Sequence, residues 1–281
     1  VSYSKGDFIL IAPHSMKPFP HIMGIVNVTP DSFSDGGETF TPEHAIAHAL
    51  QLIDEGADIL DIGGESSRPG ADSVHAEEEL RRVIPIIEAI RKHNPTIPIS
   101  IDTIKYSVAE AALQAGATII NDISGLEYDV RLAKLAEQYS ATLILMHMKG
   151  TPKSMQDNPT YKNVLNEVMQ NLRDKIRLAK SFGVKKIMAD VGIGFGKTAD
   201  HNWTLLQQHH RFAELQVPML LGISRKSFLG AALGYNNPKD RDMATALLHA
   251  LLLNTNVDTI RVHNVKLLSD LKILYQRFHD I

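Results

Sequence analysis

Apolar positions along the chain follow two alternating rhythms. Short runs such as 22–26, 59–62, 99–101 and 142–146 are apolar at nearly every position, as expected of strands buried on both faces of a parallel sheet. Longer stretches between them carry apolar residues three and four apart, the spacing of a helix with one buried face. Strands are predicted over residues 22–27, 58–63, 97–102, 118–122, 142–147, 186–190, 219–222 and 259–262. Helices are predicted over 42–55, 77–93, 107–115, 130–139, 161–182, 199–210, 240–254 and 265–278. Gly56, Gly116 and Gly183 stand where three of these helices should end in left-handed caps. Residues 1–20, with Phe8, Ile9, Leu10, Ile11 and Phe19, predict a short hairpin ahead of the first strand.

Eight strand–helix units follow one another with no low-complexity linker or shift in composition. A single α/β domain is therefore expected over the 281 residues. Right-handed crossovers close such units most naturally into a (β/α)8, or TIM, barrel, with an open doubly wound sheet as the alternative.

Composition narrows the partners. The formal net charge of -3 provides no basic field for nucleic acid, so an anionic ligand would be held by a few placed cations. The absence of cysteine excludes disulfides, thiolate metal sites and cysteine nucleophiles, and suits a reducing, cytoplasmic setting. The longest apolar run, near residues 250–253, is too short to span a bilayer, so no membrane partner is expected.

In a barrel of this kind the chemistry gathers at the C-terminal strand ends. There stand Asn27, Asp61 with Glu65, Asp102, Asn121 with Asp122, His147, Asp190, the run Ser224-Arg225-Lys226-Ser227, and Arg261 with His263. Asp61 and Asp122 read best as turn or cap residues. Asp102 ends an apolar run, where an uncompensated carboxylate would be costly, so it reads as functional. Asn27, Asp102, Asn121 and Asp190 offer acceptors and amides without a nucleophile–base pair. That set suits the hydrogen-bonding edge of a flat heterocycle, a pterin or a purine.

Lys226, Arg261 and His263 lie near the last two strands, where barrels commonly hold anions. The G-x-G-x-G run at 192–196 lacks the spacing of a dinucleotide fingerprint. It reads instead as a wall that lets a ligand approach backbone, with Phe195 as an apolar face. No His-Glu-x-x-His spacing suggests zinc.

Taken together, MGIVNVTPDSFSDGG at 23–37, GGESSRPG at 63–70, SIDT at 100–103, IND at 120–122, MHM at 146–148, GIGFGK at 192–197, SRKSF at 224–228 and RVH at 261–263 form a recognisable pattern. With these motifs the chain resembles the dihydropteroate synthases of folate biosynthesis, a pterin-binding barrel family targeted by sulfonamides. The resemblance implies a transferase that condenses 6-hydroxymethyl-7,8-dihydropterin diphosphate with p-aminobenzoate, releasing pyrophosphate by an SN1-like route. It also implies Mg²⁺ and a homodimer formed through outer helices.

By the same resemblance Asp102, Asn121, Asp190 and Lys226 hold the pterin, beside Met146 and Gly222. Asn27, Arg261 and His263 bind the diphosphate, with Asn27 also meeting the metal. Ser67, Arg68, Pro69, Phe195 and Ser227 surround p-aminobenzoate, together with Asp31, Ser32, Phe33 and Ser34 on a covering loop. Asp102, Lys226, Arg261 and His263 form the catalytic set. The chain departs from the family at Ser67, where threonine is usual, and at Val191, where proline is usual. A pterin-dependent methyltransferase and a pterin-binding protein without turnover are the rival readings.

Overall fold

The computed structural model describes residues 17–29 and 41–279. Of the hairpin expected over residues 1–20, residues 1–16 lie outside the described residues, as do the loop residues Asp31, Ser32, Phe33 and Ser34, while residues 17–20 are described and form no strand. Eight strands close into a barrel in chain order: β1 His21–Asn27, β2 Ile59–Gly63, β3 Ile99–Asp102, β4 Ile119–Asp122, β5 Thr142–Met146, β6 Ile187–Asp190, β7 Met219–Leu221 and β8 Thr259–Val262. All neighbours are parallel, and β8 returns to β1. Closure rules out the open doubly wound sheet.

Side chains alternate across each strand with a period of two, which builds the barrel in tiers. One set faces the surrounding helices and joins the main core, including Leu60, Ile62, Ile99, Ile101, Ile120, Leu143, Leu145, Leu221, Ile260 and Val262. The other faces inward, where Met23, Ile59, Ile119, Ile144 and Leu220 pack with Met188 as an apolar floor. Two residues further along the same strands come Ile25, Asp61, Asn121, Met146, Asp190 and Gly222. The site therefore stands directly on the floor. The register places Asn27 opposite Gly63, Gly63 opposite Asp102, and Asp102 opposite Asn121.

The outer layer consists of α1 Pro42–Asp54, α2 Ala76–His93, α3 Tyr106–Gln114, α4 Arg131–Gln138, α5 Val164–Ser181, α6 Ala199–Gln207, α7 Ser227–Leu233, α8 Asp242–Leu252 and α9 Val265–His279. Thr41 caps α1 ahead of Pro42, and Thr198 with His201 forms a reciprocal cap on α6. Gly56, Gly116 and Gly183 have φ of +103°, +113° and +89°, as their helix-stopping role requires. No described helix is long and apolar enough to cross a membrane.

The helix expected at 199–210 is shorter and continues as a 3-10 helix, His209–Leu215. The helix expected at 240–254 starts at Asp242, after a 3-10 turn over Pro238–Arg241. The sequence reading missed α7, whose Gly230 resembles a breaker. Here the missing side chain has a packing reason: a Cβ on Gly230 would lie 2.5 Å from the Tyr235 carbonyl oxygen and 2.6 Å from Arg241 Nε.

Candidate active site

A cavity of about 580 Å³ opens at the C-terminal end of the barrel. Its lining includes Asn27, Ser67, Arg68, Pro69, Asp102, Asn121, Met146, Asp190, Phe195, Gly222, Lys226, Ser227, Arg261 and His263. Every described residue that the family resemblance assigned to a substrate or the metal thus borders one space, whereas the strand-end residues Asp61, Glu65, Asp122 and His147 do not line it. Arg225 of the strand-end run borders it too, as do Ile25, Met155 and Arg241, which the sequence reading left aside.

The centre of this cavity is held by a buried ion pair that the sequence reading misjudged. Asp61 is a fully buried, inward-facing residue in the middle of β2 rather than a turn residue. Arg261 Nε donates to Asp61 Oδ2 at 2.5 Å, and its Nη2 donates to Asp102 Oδ2 at 2.8 Å. Asn121 Nδ2 donates to Asp61 Oδ2 at 3.2 Å. With its amide nitrogen so engaged, Asn121 keeps Oδ1 as an acceptor for a ligand N–H. Asp61 orients one arginine and one amide at once.

Asp122, by contrast, is the turn residue expected. It accepts from the backbone N–H groups of Ser124 and Leu126 at 2.9 and 2.6 Å.

Asp190 ends β6 and accepts from the Gly192 N–H at 2.7 Å. That bond holds the turn although Val191 replaces a proline, and Val191 itself is wholly buried in the core. Lys226 follows a tight turn in which Arg225 has φ +58°. The turn is tied to α8: Arg225 makes a forked pair with Asp242 at 2.6 and 2.7 Å, and its N–H donates to Thr245 Oγ1. The Lys226 ammonium lies 4.1 Å from the centre of the Phe195 ring, close enough for a cation–π contact.

His263 donates its backbone N–H to Ser224 Oγ at 3.1 Å, and its Nδ1 lies 2.9 Å from the same oxygen. The hydroxyl can then donate to Nδ1, leaving the ring N–H on Nε2.

Burial moves the acidities of these groups. It pushes the Asp102 carboxyl up to about 7, with Arg261 opposing the rise and Asp61 adding to it. It raises Asp190 as well, against the Gly192 N–H and Lys226. It brings the Lys226 ammonium down to about 8, helped by Arg261 and resisted by Asp190 and Asp102. Burial, reinforced by Arg225 and Arg261, takes His263 well below its usual range, so its imidazole is neutral at pH 7. Around the centre three carboxylates, Asp61, Asp102 and Asp190, face two cations, Lys226 and Arg261. The deep cavity therefore favours a ligand rich in N–H donors.

Gly194 and Phe195 line the cavity as expected, and the glycine run serves a second purpose as well. A Cβ on Gly192 would sit 2.0 Å from the His147 carbonyl oxygen, and one on Gly196 would sit 2.3 Å from that of Lys149. The glycines let the loop after β6 press against the backbone of the loop after β5. Lys197, which sequence reasoning passed over, fastens the contact. Its fully enclosed ammonium reaches the carbonyl oxygens of His147, Gly192 and Phe195 at 3.2, 2.9 and 3.0 Å, and His147 Nδ1 at 2.9 Å. His147 belongs to this fastening and does not line the cavity.

This architecture defines a class: a closed α/β barrel whose mouth presents buried acceptors for a donor-rich ligand, with cations beside them. The sequence profile of the family described as "Pterin binding enzyme" matches residues 23–263. The chain is 44% identical over 253 residues to the dihydropteroate synthase of Synechocystis sp., covering 89% of this chain and 87% of that protein. It superposes on a Xanthomonas albilineans dihydropteroate synthase with 4-aminobenzoic acid at a TM-score of 0.87, with 42% identity and 94% of both chains covered. A Yersinia pestis dihydropteroate synthase in a sulfonamide drug complex gives 0.87 at 35% identity, covering 94% of this chain and 95% of that one. The chain belongs to the pterin binding enzymes, within the dihydropteroate synthase family.

Proposed function

We propose that the cavity condenses 6-hydroxymethyl-7,8-dihydropterin diphosphate with p-aminobenzoate to give 7,8-dihydropteroate and pyrophosphate. The observation that carries this reading is the arrangement of the inward tier. Asp102, Asn121 and Asp190 supply acceptors for the pterin N–H edge, Lys226 supplies a donor, and Met146 supplies an apolar contact beneath the ring. Gly222 leaves open space beside them, since a Cβ there would meet nothing nearer than 3.9 Å.

The reaction needs no strong base. The C–O bond to the diphosphate breaks first, and its electron pair leaves with the phosphate oxygen. The pterin delocalises the cation left on its methylene carbon, which the Asp102 carboxylate favours electrostatically. The aniline nitrogen of p-aminobenzoate then donates its lone pair to that carbon and releases a proton. Arg261 and the neutral N–H of His263 stabilise the departing diphosphate, while Ser67, Arg68, Pro69, Phe195 and Ser227 enclose the arylamine. Sulfonamides compete at this second position.

Mg²⁺ fits this donor set in one way. Asn27, half-buried at the end of β1, offers an amide oxygen to the cavity. Among the described residues no cluster of three or more His, Cys, Asp or Glu could hold a metal. Asn27 would therefore hold Mg²⁺ together with the substrate's phosphates, oxygen ligands of the kind this hard, strongly hydrated cation prefers. When bound, the ion supplies charge neutralisation of the leaving diphosphate.

The protein acts in the cytoplasm as a homodimer. Met243, Leu247 and Leu251, four apart on α8, and Ile273, Leu274 and Phe278 on the adjoining α9 are exposed large apolar residues that support this association.

The test combines purified protein with dihydropterin diphosphate, p-aminobenzoate and Mg²⁺ and measures dihydropteroate and pyrophosphate. Equimolar formation of both is expected. Substrate binding without either product would overturn the catalytic reading.

A further inference from the structure

The loop between β2 and α2 carries Ser67, Arg68 and Pro69 to the cavity, yet little packing supports it. A second cavity of about 470 Å³ adjoins the first, sharing Ser66, Ser67, Asp102 and Ile123 with it, and is lined further by Ala71 and Ser73 of the loop and by Glu65, Glu79 and Lys105 at its neck. At its tip the loop touches the segment after β5 through exposed groups. Gly70 N–H donates to the Pro152 carbonyl oxygen at 3.1 Å, and Asp72 pairs with Lys153 at 2.9 Å, with both side chains largely solvated. Contacts of that kind are screened and weak.

The neck of the loop is built differently. Glu65 Oε2 accepts the Val74 N–H at 3.2 Å and so closes a ring of ten residues, 65–74. Arg82 Nη1 donates to the Gly64 carbonyl oxygen at 2.8 Å. A Cβ on Gly64 would lie 2.8 Å from Val83 Cγ1 and 2.9 Å from Glu79 Cγ, so the chain enters the loop pressed against α2. Lys105, from the turn before α3, places its ammonium between Glu65 and the fully buried Glu79 of α2. One half-buried cation thus joins two strand–helix units, β2–α2 and β3–α3, at the root of the loop. Burial works against the Lys105 charge, and the bonds to the two carboxylates outweigh it.

We propose that Lys105, acting through Glu65, is a positioning residue for the second substrate: it fixes the neck of the β2–α2 loop and thereby sets where Ser67, Arg68 and Pro69 meet p-aminobenzoate. This rests on the functional reading above. Open space beside the loop and solvated contacts at its tip leave the neck to determine its position. Lys105 itself does not line the catalytic cavity.

The experiment measures both KM values, the dissociation constant of a sulfonamide and Tm for Lys105→Met, Lys105→Arg, Glu65→Gln, Glu79→Gln and the double variant Lys105→Met/Glu65→Gln. Lys105→Met is expected to raise the p-aminobenzoate KM and the sulfonamide Kd at least tenfold, with the pterin diphosphate KM changed less than twofold. Glu65→Gln should do the same, and the double variant should be no worse than Lys105→Met alone, because both changes cut one link. Lys105→Arg should restore most of the affinity. Glu79→Gln, which leaves the Lys105–Glu65 link in place, should lower Tm without splitting the two KM values.

Equal changes in both KM values, additive losses in the double variant, or a fall in Tm alone would overturn the proposal. If Lys105→Met does not fold, Glu65→Gln reads the same link. Failure of the unaltered protein to make dihydropteroate would instead overturn the functional reading. The sulfonamide Kd would then still report on the loop, because it needs no turnover.

Discussion

Asp102 and Lys226 border one cavity with acidities moved toward each other by burial, the carboxyl up to about 7 and the ammonium down to about 8. Catalysis as proposed needs Asp102 ionised and Lys226 protonated. Protonation of Asp102 removes activity as pH falls through 7, and deprotonation of Lys226 removes it as pH rises through 8. The kcat/KM profile for the pterin substrate should therefore be a narrow bell, and Asp102→Asn should lower its height and abolish the acid limb. An unshifted acid limb in that variant would assign it to another group. Asp61 carries a second expectation. Asp61→Asn removes a fully buried partner of Arg261, so urea unfolding should register a loss of about 3–5 kcal/mol, together with weaker pterin diphosphate binding. Asp61 was legible in principle: it lies between Leu60 and Ile62 in a run of strand character, and alternation alone turns it inward with Ile59. The preference of aspartate for turns and helix caps drew the reading away from that position. Lys197 left no comparable signal, because its enclosure depends on carbonyl groups that converge only after two separate loops have folded.

Strands and helices were largely legible because a parallel barrel repeats its signals: an apolar run, a polar strand end, a helical stripe, a glycine stop. Misjudged boundaries fall where local contacts override the period, as at α7, where Gly230 admits the Tyr235 carbonyl, and after α6, where the chain tightens into a 3-10 helix. The glycine run after β6 and its place in the cavity wall were visible, but its packing role was not, since the partner backbone is contributed by the separate loop after β5. Its tight fit makes Gly192→Ala costly. The added methyl group would collide with the His147 carbonyl oxygen, and the residue holds φ +67°. A loss on the order of 3 kcal/mol is expected for such overpacking, read as a lowered urea midpoint, with p-aminobenzoate affinity falling as Phe195 shifts. Equal stability of variant and parent would show that the two loops can separate freely.

For the molecule as a whole, eight alternating units left few topologies to consider, and the closed barrel gathered the strand-end residues without further assumptions. The surface was less legible. The apolar residues of α8 and α9 read in the sequence as ordinary helix positions, and only their joint exposure distinguishes them. If that face joins two copies, Leu247→Glu should halve the mass measured by sedimentation at micromolar protein while leaving the monomer folded; an unchanged mass would place the contact elsewhere. The tiered interior has a consequence for inheritance. Floor residues such as Ile59, Ile144 and Leu220 and the site residues two positions beyond them occupy the same strands. A saturation library over the inward positions should accordingly separate into two populations, one losing soluble yield and the other losing turnover at normal yield, with the boundary recurring every second codon. Such a molecule can acquire a new ligand by altering its upper tier while the lower one keeps the lineage folded.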